Sequence, residues 1–257
     1  MRLSVITDEI APELGRALDV CEELELDAVE LRTLDGVQIV DQPDERLGSI
    51  RAELDRRGFG VCAIASPLFK CNRGEESDDV LERTIRAALA LGAPIVRAFG
   101  FWRERDPAAT LSDVGSALRR AAARADEEGI TLALENEHEC NVAGADELRA
   151  ALDAAAAPTL RVIWDPGNAA MLDPSRWTGL GGLEEIVDRV AHVHLKDVSP
   201  AGEWTRIGDG IVDFPAQLTC LAAAGYDGVL SFETHYARDG SGELATRDCV
   251  AALRALA

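Results

Sequence analysis

Residues 130–165 read ITLALENEHECNVAGADELRAALDAAAAPTLRVIWD. A short apolar run, 131–135, is followed by a stretch, 145–155, in which alanine and leucine recur at helical spacing, and then by a second apolar run, 160–164. Both runs have strand length, and a carboxylate closes each: Glu135 ends the first, and Asp165 follows the second. Strand, helix and strand in this order form a crossover unit, whose connection is long enough to leave the two strands parallel.

Outward from this unit the same alternation reaches both ends of the chain. Further strand-like runs lie at 2–6, 28–31, 60–65, 94–98, 191–195 and 229–233, and helical patterns at 13–24, 44–57, 78–91, 108–128, 183–188, 214–224 and 243–256. Start signals stand where they are expected, such as Ser77, Asp78 and Asp79 before one helix and Pro107 near the first turn of another. Gly58, Gly92, Gly129 and Gly225 stand just before the next strands. Eight strand–helix units in 257 residues, about 32 residues each, predict a parallel sheet closed into a single (β/α)8 TIM barrel. The rival, an open doubly wound sheet, should carry a glycine-rich loop after an early strand, whereas residues 7–15 read TDEIAPELG. Nothing resembling a linker divides the chain, so residues 1–257 are expected to form one domain.

Composition narrows the function. With 46 acidic against 26 basic residues the net charge is -20, which argues against nucleic acid or an anionic membrane as a partner. Only Lys70 and Lys196 are lysines. Apolar runs stay short of the ~18 residues a spanning helix needs, and the opening MRLSVITDEI lacks a signal-peptide pattern, so a cytoplasmic protein is expected. The six cysteines form no CxxC pair and read as reduced thiols rather than zinc ligands.

In a barrel of this kind the chemistry lies at the C-terminal ends of the strands. Strand periodicity sends Thr131, Ala133 and Glu135 inward on the fifth strand, and Ile163 and Asp165 on the sixth. The seventh sends His192, His194 and Lys196, and the eighth Ser231, Glu233 and His235, while Leu132, Leu134, Val193 and Leu195 face the helices. Glu135, Asp165, His194 and Glu233 thus occupy equivalent places on four consecutive units. A single carboxylate after a strand is ordinarily a helix cap, but three carboxylates and a histidine with matched parity form a donor set for one divalent ion, Mn²⁺, Mg²⁺, Co²⁺ or Zn²⁺.

The strings ENEHE (135–139), WDPGN (164–168), HVHLKD (192–197), GDGIVDF (208–214) and SFETHY (231–236) resemble the xylose isomerase-like barrel superfamily of sugar phosphate isomerases and epimerases. The resemblance implies that Glu135, Asp165, His194 and Glu233 hold the metal. It also implies that Glu135 and Glu233 act as acid and base on either side of the substrate carbon. Proton removal beside a carbonyl or hydroxyl leaves an enediolate, whose charge a bound divalent ion would stabilise. The expected activity is isomerisation or epimerisation of a sugar, keto-sugar or cyclic polyol, with a lyase or dehydratase of a dehydroshikimate-like substrate as the alternative.

Two positions depart from the ketose 3-epimerases of that superfamily. Asn168 stands where they have histidine three residues after the metal aspartate, and Asn141 where they have glutamate six residues after the strand 5 glutamate. Asn168, Lys196, His192, Arg97 and Arg206 are expected to contact substrate. Glu30 and Arg32 share an inward parity and read as an ion pair or a pocket lining. The expected partner is a small sugar or polyol, with self-association into a homo-oligomer left open.

Overall fold

The computed structural model describes residues 1–175 and 177–256; Arg176 and Ala257, within the expected domain of 1–257, lie outside the described residues. Eight parallel strands form the central sheet: β1 (Arg2–Val5), β2 (Ala28–Leu31), β3 (Gly60–Leu68), β4 (Ile95–Ala98), β5 (Thr131–Glu135), β6 (Arg161–Trp164), β7 (Val190–Leu195) and β8 (Val229–Phe232). A helix follows each in turn: α1 (Leu14–Glu23), α2 (Asp44–Arg57), α3 (Asp78–Leu91), α4 (Leu111–Asp126), α5 (Ala145–Ala155), α6 (Pro166–Leu172), α7 (Phe214–Ala223) and α8 (Gly242–Leu256). The strand order is β1-β8-β7-β6-β5-β4-β3-β2, and a parallel bridge between Ile6 and Glu30 joins its two ends. The chain therefore forms the (β/α)8 TIM barrel that its alternation predicts.

The strand parity holds. Leu132, Leu134, Val162, Trp164, Val193, Leu195, Leu230 and Phe232 are buried in the apolar layer shared with the helices. Their alternates Glu135, Asp165, His192, His194, Ser231 and Glu233 form a buried polar set. Burying apolar residues on one face and the lumen side chains on the other stabilises the sheet and fixes its register, because a one-residue slip would exchange the two sets. Helix ends follow local chemistry: Ser77 accepts from Asp79 N at the start of α3, and α2 and α3 end on the left-handed Gly58 and Gly92.

The sixth unit differs from expectation. Its helix is α6, which begins directly after β6 with Asp165 as its cap and Pro166 in the first turn. The segment expected to be helical, 183–188, is instead two 3-10 turns, Leu183–Glu185 and Val187–Arg189. Gly179, Gly181 and Gly182 just ahead of it have positive φ, which breaks any continuous helical path there. Two short hairpins add to the C-terminal end of the barrel: Thr33–Leu34 with Val37–Gln38 after β2, and Asp197–Val198 with Trp204–Thr205 after β7. All six cysteines are free. Among the described residues no helix is long and apolar enough to cross a membrane.

Candidate metal and active site

One donor atom each from Glu135, Asp165, His194 and Glu233 lies within 4.8 Å of the other three, and all four residues are buried. Asn136 aligns the tips of β5 and β6 by accepting from Asp165 N (2.9 Å) and donating to Asp165 O (2.8 Å). Asp165 Oδ1 caps α6 through Asn168 N at 2.8 Å, which leaves Oδ2 to face the cluster. Oδ2 accepts no hydrogen bond; Lys196 Nζ lies 3.1 Å away but out of hydrogen-bonding alignment. The Lys196 ammonium offsets the charge of this oxygen but donates no hydrogen bond to it, so its lone pairs are left for a directly bound cation.

These residues fit a divalent ion. Ligands that share one ion at about 2.0–2.2 Å stand no more than about 4.4 Å apart, so the cluster needs only a small contraction. Three carboxylates and an imidazole suit the harder divalent metals and zinc. Cations of the chain surround the same oxygens: Arg97 Nη1 lies 3.0 Å from Glu135 Oε2 and 3.4 Å from Glu233 Oε1, Arg32 Nη1 2.9 Å from Glu233 Oε1, and Lys196 Nζ 2.7 Å from Glu233 Oε2. Burial pushes the Asp165 carboxyl up to about 6, with Lys196 opposing and Glu135 and Glu233 adding to the shift. Burial also acts on Glu233, but Lys196, His235 and His194 outweigh it and hold that carboxyl well below the usual range. For His194 burial favours the neutral ring, yet Glu30, Glu135 and Glu233 prevail and raise it well above its ordinary value.

Beneath the cluster, Glu30 corrects the expectation drawn from its neighbour. It does not pair with Arg32; its two oxygens meet His192 Nε2 at 2.9 Å and His194 Nε2 at 3.1 Å. Arg32 turns instead to Asp8, Glu9 and Glu233, at 2.9, 2.7 and 2.9 Å. His192 was expected to touch substrate, but it is fully buried on Glu30 and lines a cavity at the N-terminal end of the barrel, away from the mouth.

Above the cluster a cavity of about 150 Å³ is lined by Arg32, Gln38, Pro67, Lys70, Arg97, Glu137, Glu233 and His235. A larger cleft of about 670 Å³ lies beside the start of α5 and the 177–185 loop and contains none of the clustered groups. Chemistry, not size, therefore singles out the mouth. Asn168 donates to Asn136 O (2.9 Å) and to Glu135 Oε1 (3.4 Å), and its Oδ1 lies 3.1 Å from His138 Nδ1. Trp204 stands over the site between His138 and His235, with ring centroids 5.7 and 5.6 Å away and Lys196 Nζ 5.2 Å from its own.

Arg206 does not join this group; it pairs with Asp209 at 3.1 Å, three residues on. The turn amides of Gly208 and Gly210 are not free for a phosphate either, because both donate to Asp197 Oδ2. Asn141 braces the 100–104 segment through Gly100 O, Trp102 O and Glu104 N. Glu137, His138 and Trp204 were not singled out from the sequence. The first two stand in the ENEHE string beside Glu135, whereas the position of Trp204 depends on a hairpin that no motif announces.

Several solved structures share the whole architecture. A xylose isomerase domain protein from Alicyclobacillus acidocaldarius is 22% identical with a TM-score of 0.77, covering 100% of this chain and 98% of that one. The IOLI protein, solved with a zinc atom, is 18% identical with a TM-score of 0.81, covering 100% and 98%. The 3-keto-D-glucoside 4-epimerase YcjR from E. coli is 17% identical with a TM-score of 0.79, covering 99% of each. Identities this low establish likeness of fold. Among curated proteins none matches significantly. The sequence profile of the xylose isomerase-like TIM barrel, however, matches residues 18–256, from within α1 to the end of α8. With that match across the barrel, the chain belongs to the xylose isomerase-like TIM barrel family.

Proposed function

We propose that this protein is a divalent-metal-dependent isomerase or epimerase of a sugar, keto-sugar or cyclic polyol, acting as a single domain on a small molecule and not on nucleic acid. The observation that carries the reading is the convergence of Glu135, Asp165, His194 and Glu233 under the mouth cavity. A divalent ion held by these four would stabilise the negative charge that develops on substrate oxygens when a neighbouring carbon loses its proton. Glu135 and Glu233 come from strands three apart, so their carboxylates approach from different sides of the mouth. One removes the proton and the other returns it, on the opposite face or at the next carbon. Arg97 touches both glutamates and holds their carboxylates in place. Lys196 and Arg32 do the same for Glu233, while Lys70 and His235 offer donors to substrate hydroxyls at the rim. Trp204 presents an indole against which the C–H face of a sugar or polyol packs. The names of two structural neighbours, a 3-keto-D-glucoside 4-epimerase and an L-ribulose 3-epimerase, belong to the same class of chemistry.

The test is to measure the metal content of the purified protein and to incubate it in D₂O with keto-sugars and inososes, following carbon-bound deuterium by NMR. Deuterium at one carbon together with a rearranged or epimeric product supports the reading. An unsaturated product absorbing in the ultraviolet would make it a lyase. Absence of bound metal and of exchange would overturn it.

A further inference from the structure

We infer that Glu30 is a positioning residue: its single buried carboxylate fixes the rings of both His192 and His194, so that His194 offers Nδ1 to the metal while Nε2 carries the proton. The inference rests on the proposed metal site and adds a residue to it.

Glu30 reaches its partners across the barrel. It sits on β2, three strands from β7, and is fully buried, so its oxygens meet the two imidazoles inside the lumen. The strand is locally re-registered at this residue: Val29 pairs with Val61 but Glu30 with Ala63, leaving Cys62 as an extra residue in β3. Cys62 Sγ donates to Val29 O at 3.2 Å and ties the bulge down. The bulge lies in the neighbouring strand directly opposite Glu30, where the ladder is locally interrupted.

The two ring nitrogens of His194 face different surroundings. Nδ1 looks at Glu135 Oε1 (2.9 Å), Glu233 Oε2 (3.3 Å) and Asp165 Oδ2 (3.9 Å), the oxygens of the proposed ligand set. Nε2 has Glu30 Oε1 at 3.1 Å. A carboxylate only accepts hydrogen bonds, and both nitrogens face one: an ion held among Glu135, Asp165 and Glu233 would take the place of the Nδ1 proton, while Glu30 keeps the other proton on Nε2. It also raises the donor strength of the ring. His192 Nε2 occupies the other oxygen at 2.9 Å, and the two rings pack edge-on at 5.3 Å and 88°, which keeps Glu30 from rotating. A role limited to satisfying two buried histidines would leave metal affinity and ligand-field spectra unchanged when the charge is removed.

The experiment compares wild type, Glu30→Gln, Glu30→Asp and His192→Asn. It measures Zn²⁺ affinity by competition with a chromogenic chelator, records the visible spectrum of the Co²⁺-loaded protein, and assigns the imidazole nitrogens of the Zn²⁺-loaded wild type by ¹⁵N NMR. Glu30→Gln is expected to bind Zn²⁺ about 10–100-fold more weakly, the scale typical of a carboxylate behind a metal-bound histidine. Its Co²⁺ spectrum should shift, Glu30→Asp should recover part of the loss, and His192→Asn should change affinity by only a few-fold. Unchanged affinity in Glu30→Gln, or coordination of His194 through Nε2, would overturn the inference. The NMR reading needs no variant, so it stands even where a substitution prevents folding. Failure of wild type itself to hold Zn²⁺ or Co²⁺ would overturn the metal-site reading as well, and is thereby distinguished from failure of the Glu30 assignment alone.

Discussion

Lys196 Nζ stands 2.7 Å from Glu233 Oε2 and 3.1 Å from Asp165 Oδ2, so one fully buried ammonium balances two of the clustered carboxylates. Removing one partner of a buried pair strands the other charge, at a cost of about 3–5 kcal/mol. Lys196→Met should therefore lower the unfolding midpoint of the metal-free protein by roughly 6–20 °C, from a few degrees per kcal/mol in a chain of this size. Added divalent ion should restore more stability to the variant than to wild type. Differential scanning calorimetry with and without metal checks both.

Glu135→Gln and Glu233→Gln keep shape but remove the base. Each should lower turnover by about 100-fold or more, the scale of general acid–base assistance. Solvent deuterium should stop entering substrate only in the variant lacking the proton-abstracting glutamate. Steady-state rates and NMR of substrate recovered from D₂O decide this, and full turnover by both variants with metal bound would refute two-carboxylate chemistry.

Stability should depend on pH through Asp165. Its folded pKa, about 6, lies above the unfolded value near 3.9. The folded state therefore holds the extra proton between these values. Its contribution is complete below about pH 3.9 and is lost as pH rises through 6, at up to about 1.4 kcal/mol per pH unit. Urea unfolding in chelator from pH 4 to 7 should show this slope in wild type relative to Asp165→Asn. Metal uptake should have the opposite trend, weakening below about pH 6 because the proton competes for the same oxygen.

Chelation should lower the thermal midpoint, since an ion that binds only the folded state stabilises it by about 2.7 kcal/mol at one hundred times its dissociation constant. His194→Ala should abolish this metal response. His192→Ala should keep most of it. Thermal unfolding titrated with Mn²⁺, Co²⁺ and Zn²⁺ separates the two.

The four clustered groups were legible because strand parity and a repeating unit are one-dimensional signals, and a barrel turns them into neighbouring positions at one end. Lys196 shares the same parity. The Glu30–His192 contact was not legible, because it joins residues 162 apart across the lumen, while Arg32, two positions away, offers a nearer false partner. Arg206 was misplaced for a related reason: its loop does rise beside the mouth, but Asp209, three residues on, captures its guanidinium. The glycine turn at 208–210 does hold an anion with its amides, and that anion is the side chain of Asp197. The sixth helix carried its signal in Asp165 and Pro166, a cap and a first-turn proline, concealed because the same aspartate also read as a metal ligand.

Asp197 offers a further check. Its carboxylate accepts from the backbone N–H groups of Val198, Gly208, Gly210 and Val212 at 2.8–3.1 Å. Asp197→Ala should leave those donors without their acceptor and increase amide exchange at Gly208, Gly210 and Val212, measured by hydrogen–deuterium exchange, with little change at the amides of β5 and β6.

The segment carrying Trp204 is therefore suspended from one carboxylate, while residues 199–203 at its tip are solvent-facing or partly so. Length and composition can change at that tip without disturbing the anchor or the donor atoms below. Changes at these five residues therefore alter what stands over the mouth while leaving the clustered carboxylates and imidazole beneath it in place.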